Sequence, residues 1–498
     1  MAKIGTGSMW KIAFGFLLGA IFGAIVVAQW APNLTTSTVA QGPGGSNQSN
    51  GAGGGTGPNP TGTGPGATQS QGPGQSHVPA GIACAPGRNG GKTDVGVSAT
   101  EIKLATTVVR SGIGEAFLGD VQFAMEAYKN KINRAGGICG RRLSIKYVDD
   151  GWRVDYGAPD IRSFIKEGDF AIPVGPSSEG LNEVIKNGDI KEAGIPVVGT
   201  DGMIIRQYTD PWVWPVAVST ASSARIMALN ACARYSPSHG GSCKSMRFAI
   251  VFDRNYKFGV EAATAFNNQV KRQTGSNVLG YNYPANNCIH RYCGIDAGQP
   301  GYRNEVNTVS GEDFDYLAMF LEPKTASTWM ATPGAPTIAD KALPAGMIGL
   351  AQPLFTRDFA VNCQRYCNQM WVWTGYKPPI EDYANDPTVS TYVDDIKRTK
   401  TDADWNNAFA EGGYVGMQLL VQAMQQVGPY LTRARLRDAL NSMTFRSGLT
   451  LEPVLRWRPG NYFAATTMQA FEIDYQGTFG GWRTKDMFKD PTPQLGTG

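Results

Sequence analysis

Cys84, Cys139, Cys232, Cys243, Cys288, Cys293, Cys363 and Cys367 are the residues whose chemistry is most constrained by number and spacing. An even set that follows an apolar N-terminal run points to disulfides formed in an oxidising compartment, rather than to free thiols or metal. Proximity suggests the pairs Cys232–Cys243, Cys288–Cys293 and Cys363–Cys367. Cys84 is then left to tie the start of the folded part to Cys139, although spacing alone leaves other connectivities open. Zinc is disfavoured: Cys363-x-x-x-Cys367 has no second matching pair, and Cys288-x-His290-x-x-Cys293 lacks a fourth ligand. The other histidines, His77 and His239, stand far apart. No nucleophile elbow, phosphate loop or clustered His/acid set occurs, so no metal, cofactor or catalytic residues are expected.

The elements that must position any binding residues alternate. IKLATTVV (102–109) reads as a strand, and Phe117 to Ile132 as one amphipathic helix ending at Gly136-Gly137. LSIKYVD (143–149) is a strand, Ile161 to Lys166 helical, and AIPVG (171–175) and IPVVG (195–199) are buried strands around a helix from Leu181 to Glu192. The pattern restarts with MRFAIVFD (246–253), a helix over Gly259 to Arg272 and a strand NVLGYNY (277–283). DYLAMFLE (315–322) and AGMIGLA (345–351) are strands flanking a helix from Lys324 to Met330. Phe409 to Gln426 and Arg433 to Asn441 are helices, and MQAFEIDY (468–475) is a late strand. Such alternation predicts an α/β protein with two helix-covered parallel sheets. Ligands in these folds bind beyond the carboxyl ends of strands.

Charge divides the chain. Among 498 residues, Lys+Arg 45 against Asp+Glu 41 leaves a net charge of +4, too balanced for a dedicated nucleic-acid binder. No Asp, Glu, Lys or Arg lies between Lys11 and Arg88. Residues 12–31 (IAFGFLLGAIFGAIVVAQWA) are long enough to cross a bilayer as a helix, and Lys3 and Lys11 would hold residues 1–11 in the cytoplasm. A cleaved signal peptide ending near Val26-x-Ala28 is the other reading, but the apolar run exceeds the usual ~7–15 residues. No cysteine near residue 30 supports a lipoprotein. Gly15, Gly19 and Gly23 make a small-residue stripe that would suit anchor dimerisation, or reflect the frequency of glycine in membrane helices. Residues 33–80 are almost entirely Gly, Pro, Ser, Thr, Gln and Asn, a disordered tether spanning about 40 Å as a random coil.

The block GVSATEIKLATTVVRSGIGEAFLGDVQFAMEAYKNKINRAGGICGRRLSIKYVDD (96–150) resembles the opening of the branched-chain amino-acid (Leu/Ile/Val-type) substrate-binding proteins of ABC transporters. VGPSSEG (174–180), GIPVVGTDG (194–202), IVFDRNYKFG (250–259) and EGGYVGMQLLVQAM (411–424) continue it in order, so it covers roughly residues 95–485. The resemblance implies a type I periplasmic binding fold: two Rossmann-like lobes joined by three crossovers, clamping a ligand in a Venus-flytrap cleft. The bilobed module would run over 81–486, lobe one over about 98–219 and 380–445, lobe two over about 220–379 and 446–486, with 487–498 a flexible end.

Ligand contacts follow from the same resemblance. The loop Gly175-Pro176-Ser177-Ser178 stands where the family offers a Ser hydroxyl and backbone N–H groups to a ligand carboxylate; an ordinary N-cap is the bland reading. Thr200, Asp201 and Gly202 occupy the next loop, and Asp201, a departure from a small residue, either meets a cationic group or caps a turn. Ser111, Gly112 and Phe117 border the cleft. Phe258 stands where the family often has a cleft-lining Tyr, so stacking remains without the hydroxyl. Glu322 and Gln352 end strands of lobe two; Gln352 replaces an acid that holds the ammonium of amino acids, and Glu322 either takes over that role or is a solvated loop charge. Trp212 and Trp214 in DPWVWP are expected to line the hinge core, the other reading being the ligand site. The implied function is an extracytoplasmic solute-binding protein that delivers a small polar solute to an ABC permease. A tethered sensing or adhesion module is the alternative.

Overall fold

The computed structural model describes residue 84, residues 87–280 and residues 294–496, all within one compact unit, Pro73–Gly498. The apolar run 12–31, the tether 33–80, the Gly15/Gly19/Gly23 stripe and the Cys288–Cys293 pair lie outside these residues. Among the described residues no helix is long and apolar enough to cross a membrane.

The first lobe begins with β1 (Glu101–Val108), α1 (Glu115–Leu118), α2 (Val121–Arg134), β2 (Arg142–Asp149) and α3 (Val154–Glu167). It continues through β3 (Ile172–Pro173), α4 (Ser178–Lys186), α5 (Asp189–Ala193), β4 (Val197–Thr200) and β5 (Val213–Pro215). All these strands pair in parallel, and a bridge from Leu104 to Ala171 completes the order β2-β1-β3-β4-β5. Leu104 through Val108 are buried without interruption, as helices on both faces of a parallel sheet require.

The second lobe runs through α6 (Thr220–Tyr235), β6 (Phe248–Phe252), α7 (Lys257–Thr274), α8 (Arg303–Gly311) and β7 (Tyr316–Phe320). α9 (Pro323–Ala331), β8 (Ile348–Leu350), α10 (Arg357–Cys363) and β9 (Trp371–Thr374) follow. The chain then returns: α11 (Pro387–Thr399) and α12 (Ala408–Val427) pack on α2, α12 also covers β4, and α13 (Arg433–Ser442) lies on α12. Finally β10 (Thr467–Tyr475) and β11 (Phe479–Lys489) join the second sheet, in the order β11-β10-β9-β8-β7-β6.

Five local expectations need correction. The helix read from Phe117 is split into α1 and α2 at Gly119-Asp120, and the one read from Leu181 breaks at Asn187-Gly188, where Gly188 takes φ +84°. Of NVLGYNY, the described part contributes only a bridge from Leu279 to Ala249. The second sheet is mixed rather than parallel, because β10 and β11 form a hairpin whose β10 runs antiparallel to β9. The end expected to trail from residue 487 is instead held down: β11 runs to Lys489, and buried Arg225 bonds the carbonyls of Pro493 and Gly496.

Three strands of chain pass between the lobes and are bonded to one another. Trp457 Nε1 donates to the Pro215 carbonyl at 2.8 Å, Val218 bridges to Ala465, and Tyr376 bridges to Thr450. Cys84 pairs with Cys139, Cys232 with Cys243, and Cys363 with Cys367. Closing the 55-residue span of the first pair contributes about 4 kcal/mol of chain entropy.

Candidate ligand-binding cleft

The loops that leave β2, β3 and β4 face the loops that leave β6, β7 and β8. After β2, the Asp150 carboxylate accepts the Trp152 N–H at 2.9 Å and folds the turn, with Trp152 at φ +63°. Burial raises Asp150 to about 6, opposed by the Ser177 hydroxyl and that N–H. Trp152 is 1% exposed, and its indole N–H reaches Ser178 Oγ at 3.4 Å. The indole stacks on Tyr256 of the opposite lobe with centroids 4.2 Å apart, meets Phe117 edge-on at 5.2 Å and touches Phe258 at 5.7 Å.

Buried acids cross the same gap. Glu179, in the first turn of α4, accepts the Lys257 backbone N–H at the start of α7 at 2.8 Å. Glu261 of α7 accepts the Ile205 N–H of the first lobe at 2.7 Å. Burial pushes Glu179 up to about 7, with neighbouring Glu261 adding to the rise. At the end of β6, Asp253 is fully buried, one oxygen accepting the Asn255 N–H at 3.0 Å and the other unpartnered. Burial, with Glu322, Asp296 and Glu179 nearby, raises it to about 8.

Towards the hinge, Asp201 and Met203 of the first lobe and Ser223, Gln352 and Met468 of the second line a cavity of about 20 Å³ with Phe409. Asp201 Oδ1 accepts the Met203 N–H at 3.1 Å and Gln207 Nε2 at 3.0 Å, while Oδ2 has no partner. Burial raises Asp201 to about 7. Gly202 has φ +70° and donates its N–H to Gln207 Oε1 at 2.9 Å; a Cβ there would fall 2.1 Å from the Tyr208 hydroxyl.

The sequence-derived residues therefore divide into groups. Asp201 and Gln352 share the cavity, with Thr200 and Gly202 flanking Asp201; Thr200 Oγ1 is buried and unpartnered. Ser178 touches Trp152, and Ser177, at the N-cap position of α4, makes no capping bond and lies against Asp150. Phe117 and Phe258 are fully buried behind Trp152, so Tyr256, two residues before Phe258, presents the ring expected there. Ser111 and Gly112 are exposed, Gly112 bordering an outer groove with Arg110, Glu115 and Lys324. Glu322 is not a solvated loop charge: it is fully buried and caps α9, its two oxygens accepting the Lys324 and Thr325 N–H groups. Trp214 is buried and bonds Asn441 Oδ1 at 3.0 Å, whereas Trp212 is half-buried beneath Arg437. Sequence reading missed Trp152, Glu179, Tyr256 and Asp253, although all four stand in loops, or the helix turn next to them, at carboxyl ends of strands. Among the described residues no group of three or more His, Cys, Asp or Glu is placed to hold a metal ion.

This arrangement, two α/β lobes with strand ends facing across a gap, agrees with the family comparison. A family model described as periplasmic binding protein matches residues 101–478. The chain belongs to that family. Among solved periplasmic binding structures, a fatty acid ABC transporter substrate-binding protein from Thermomonospora curvata superposes with a TM-score of 0.63 at 16% identity, covering 82% of this chain and 98% of that one. A possible leucine/isoleucine/valine-binding protein from Rhodopirellula baltica SH 1 gives 0.62 at 12% identity, covering 78% and 96%. A solute binding protein from R. palustris in complex with benzoate gives 0.61 at 14%, covering 78% and 97%. At such identities the likeness shows the fold. No curated protein matches the chain.

Proposed function

We propose that this periplasmic binding protein is an extracytoplasmic solute receptor whose lobes close around a small polar molecule and present it to an ABC permease. The observation that carries this reading is the cavity at the back of the cleft, to which Asp201 of one lobe and Ser223 and Gln352 of the other contribute. A ligand held from both sides stabilises only the closed arrangement, so it shifts the lobes towards closure. Thr200 and Gly202 flank Asp201, and Ser177 and Ser178 support Trp152 beside the opening. Structural neighbours named for fatty acid, benzoate and leucine/isoleucine/valine binding support a solute-binding reading without fixing the solute's chemistry. Residues 12–31 would tether the module to the membrane through residues 33–80, or direct its export.

The test is mass spectrometry of small molecules released by denaturing the full chain purified from its native cells, followed by thermal-shift titration with each. One recurrent compound that raises Tm supports the reading. Protein that releases nothing, and whose Tm no member of a metabolite library moves, overturns it.

A further inference from the structure

The polar atoms left without partners at the hinge-side cavity can all accept hydrogen bonds. Asp201 is 8% exposed and Ser223 4% exposed; both line the cavity, and neither Asp201 Oδ2 nor Ser223 Oγ has a hydrogen-bond partner. They come from opposite sides, Asp201 from the loop after β4 and Ser223 from the first turns of α6. Gln352 Oε1 borders the same space, engaged only by a long 3.4 Å bond from the Gly375 N–H. An ammonium group brings three N–H donors and a positive charge, which matches one carboxylate and two neutral oxygens.

Size and charge agree. About 20 Å³ takes one water-sized group. A primary ammonium has that size, and a planar carboxylate is larger. Glu179 and Asp253 add further acid to the gap, whereas the fully buried cations among the described residues, Arg141 and Arg225, are engaged elsewhere. Arg141 bonds the carbonyls of Ser98 and Pro429, and Arg225 pairs with Asp490. An anionic head would meet carboxylates with no buried cation opposite. Phe409 lines the cavity and also packs on Phe117, 5.3 Å away, so apolar rings continue from the cavity wall towards Trp152.

We infer that the solute's buried end is a primary ammonium, seated between Asp201, Ser223 and Gln352, and that the protein selects amines over carboxylic acids. This rests on the solute-binding reading above.

The experiment uses the full chain at pH 8 and three panels on matched skeletons: C2–C8 primary amines with benzylamine, the corresponding alcohols with benzyl alcohol, and the corresponding carboxylates with benzoate. Thermal shift and calorimetry are expected to rank amines first. D201N should weaken the best amine by at least about tenfold and S223A by a few fold, while both keep the Tm of the unliganded protein near that of the wild type. Preference for carboxylates or alcohols, or amine binding indifferent to D201N, overturns the inference and leaves the receptor reading standing. Failure of every amine overturns it too, and the release experiment above then decides the receptor reading separately. Should D201N not fold, the wild-type ranking together with S223A decides.

Discussion

Trp152 of the first lobe and Tyr256 of the second lie face to face, ring centroids 4.2 Å apart and planes 11° from parallel. The pair spans the gap near the buried acids Asp253, Glu322 and Glu179. Aromatic pairs contribute about 1 kcal/mol beyond their area burial, so Tyr256→Ala is expected to shift the closed-to-open ratio roughly fivefold towards open. Small-angle scattering of the unliganded protein should show a larger radius of gyration for the variant. An unchanged radius together with unchanged ligand affinity would remove the stack from the closure mechanism.

Acidity should favour closure of the unliganded protein. Burial raises Glu179 and Asp201 to about 7 and Asp253 to about 8, and all three face further acids: Glu261 beside Glu179, Glu179 beside Asp201, and Glu322 and Asp296 beside Asp253. Lys257 offsets Glu179 in part. A carboxyl raised by burial binds its proton more tightly in the closed form, so closure gains as pH falls through the raised values and loses as pH climbs past them. Carboxyls pulled down by partners, such as Asp296 and Glu452, titrate below this window. Tm and scattering should therefore show a tighter, more stable form at pH 6 than at pH 8. Glu179→Gln and Asp253→Asn should flatten the difference, and a trend of opposite sign would refute the assignment.

Gly199→Ala should abolish ligand binding before it abolishes folding. Gly199 has φ +90°, and a Cβ there would stand 2.2 Å from the Gly416 Cα of α12. The helix must move away from β4, and Thr200 and Asp201 move with the strand end. A loss of about 2–4 kcal/mol is expected by urea denaturation, with ligand affinity reduced beyond what Tm predicts. Wild-type affinity in this variant would show that β4 does not position the site.

The Arg225–Asp490 pair is fully buried at 2.9 Å and fastens the C-terminal segment to α6, the helix that bears Ser223. Removing one partner strands a charge, so Arg225→Met should cost about 3–5 kcal/mol. The double variant Arg225→Met/Asp490→Leu should recover most of that loss in denaturant titrations. A single variant as stable as the wild type would mean that the segment is not held through this pair.

Strands buried on both faces were readable because each is a short, continuous apolar run, as in FAIVF (248–252) and YLAMF (316–320). β5 was not, since Trp214, the middle one of its three residues, and the preceding Trp212 were read as hinge core, and β11 was not, since its edge position leaves most of FGGWRTKDMFK partly or fully exposed. At the cleft, the resemblance led to Asp201 and Gln352, both in loops that follow strand ends. It passed over Trp152 and Tyr256, and aromatic residues in loops carry no period to mark them.

What the sequence determined by itself was local: which segments alternate, which loops end strands, and where the charge-free N-terminal stretch stops. These depend on neighbours a few residues apart, through hydrogen-bond geometry and the period of burial. Tertiary structure alone decided that Glu322 caps a helix, that Phe258 lies buried behind Trp152, and that Asp201 and Ser223 share a cavity. Those outcomes depend on how two lobes, separate in sequence, meet across a gap, and no local spacing encodes that distance.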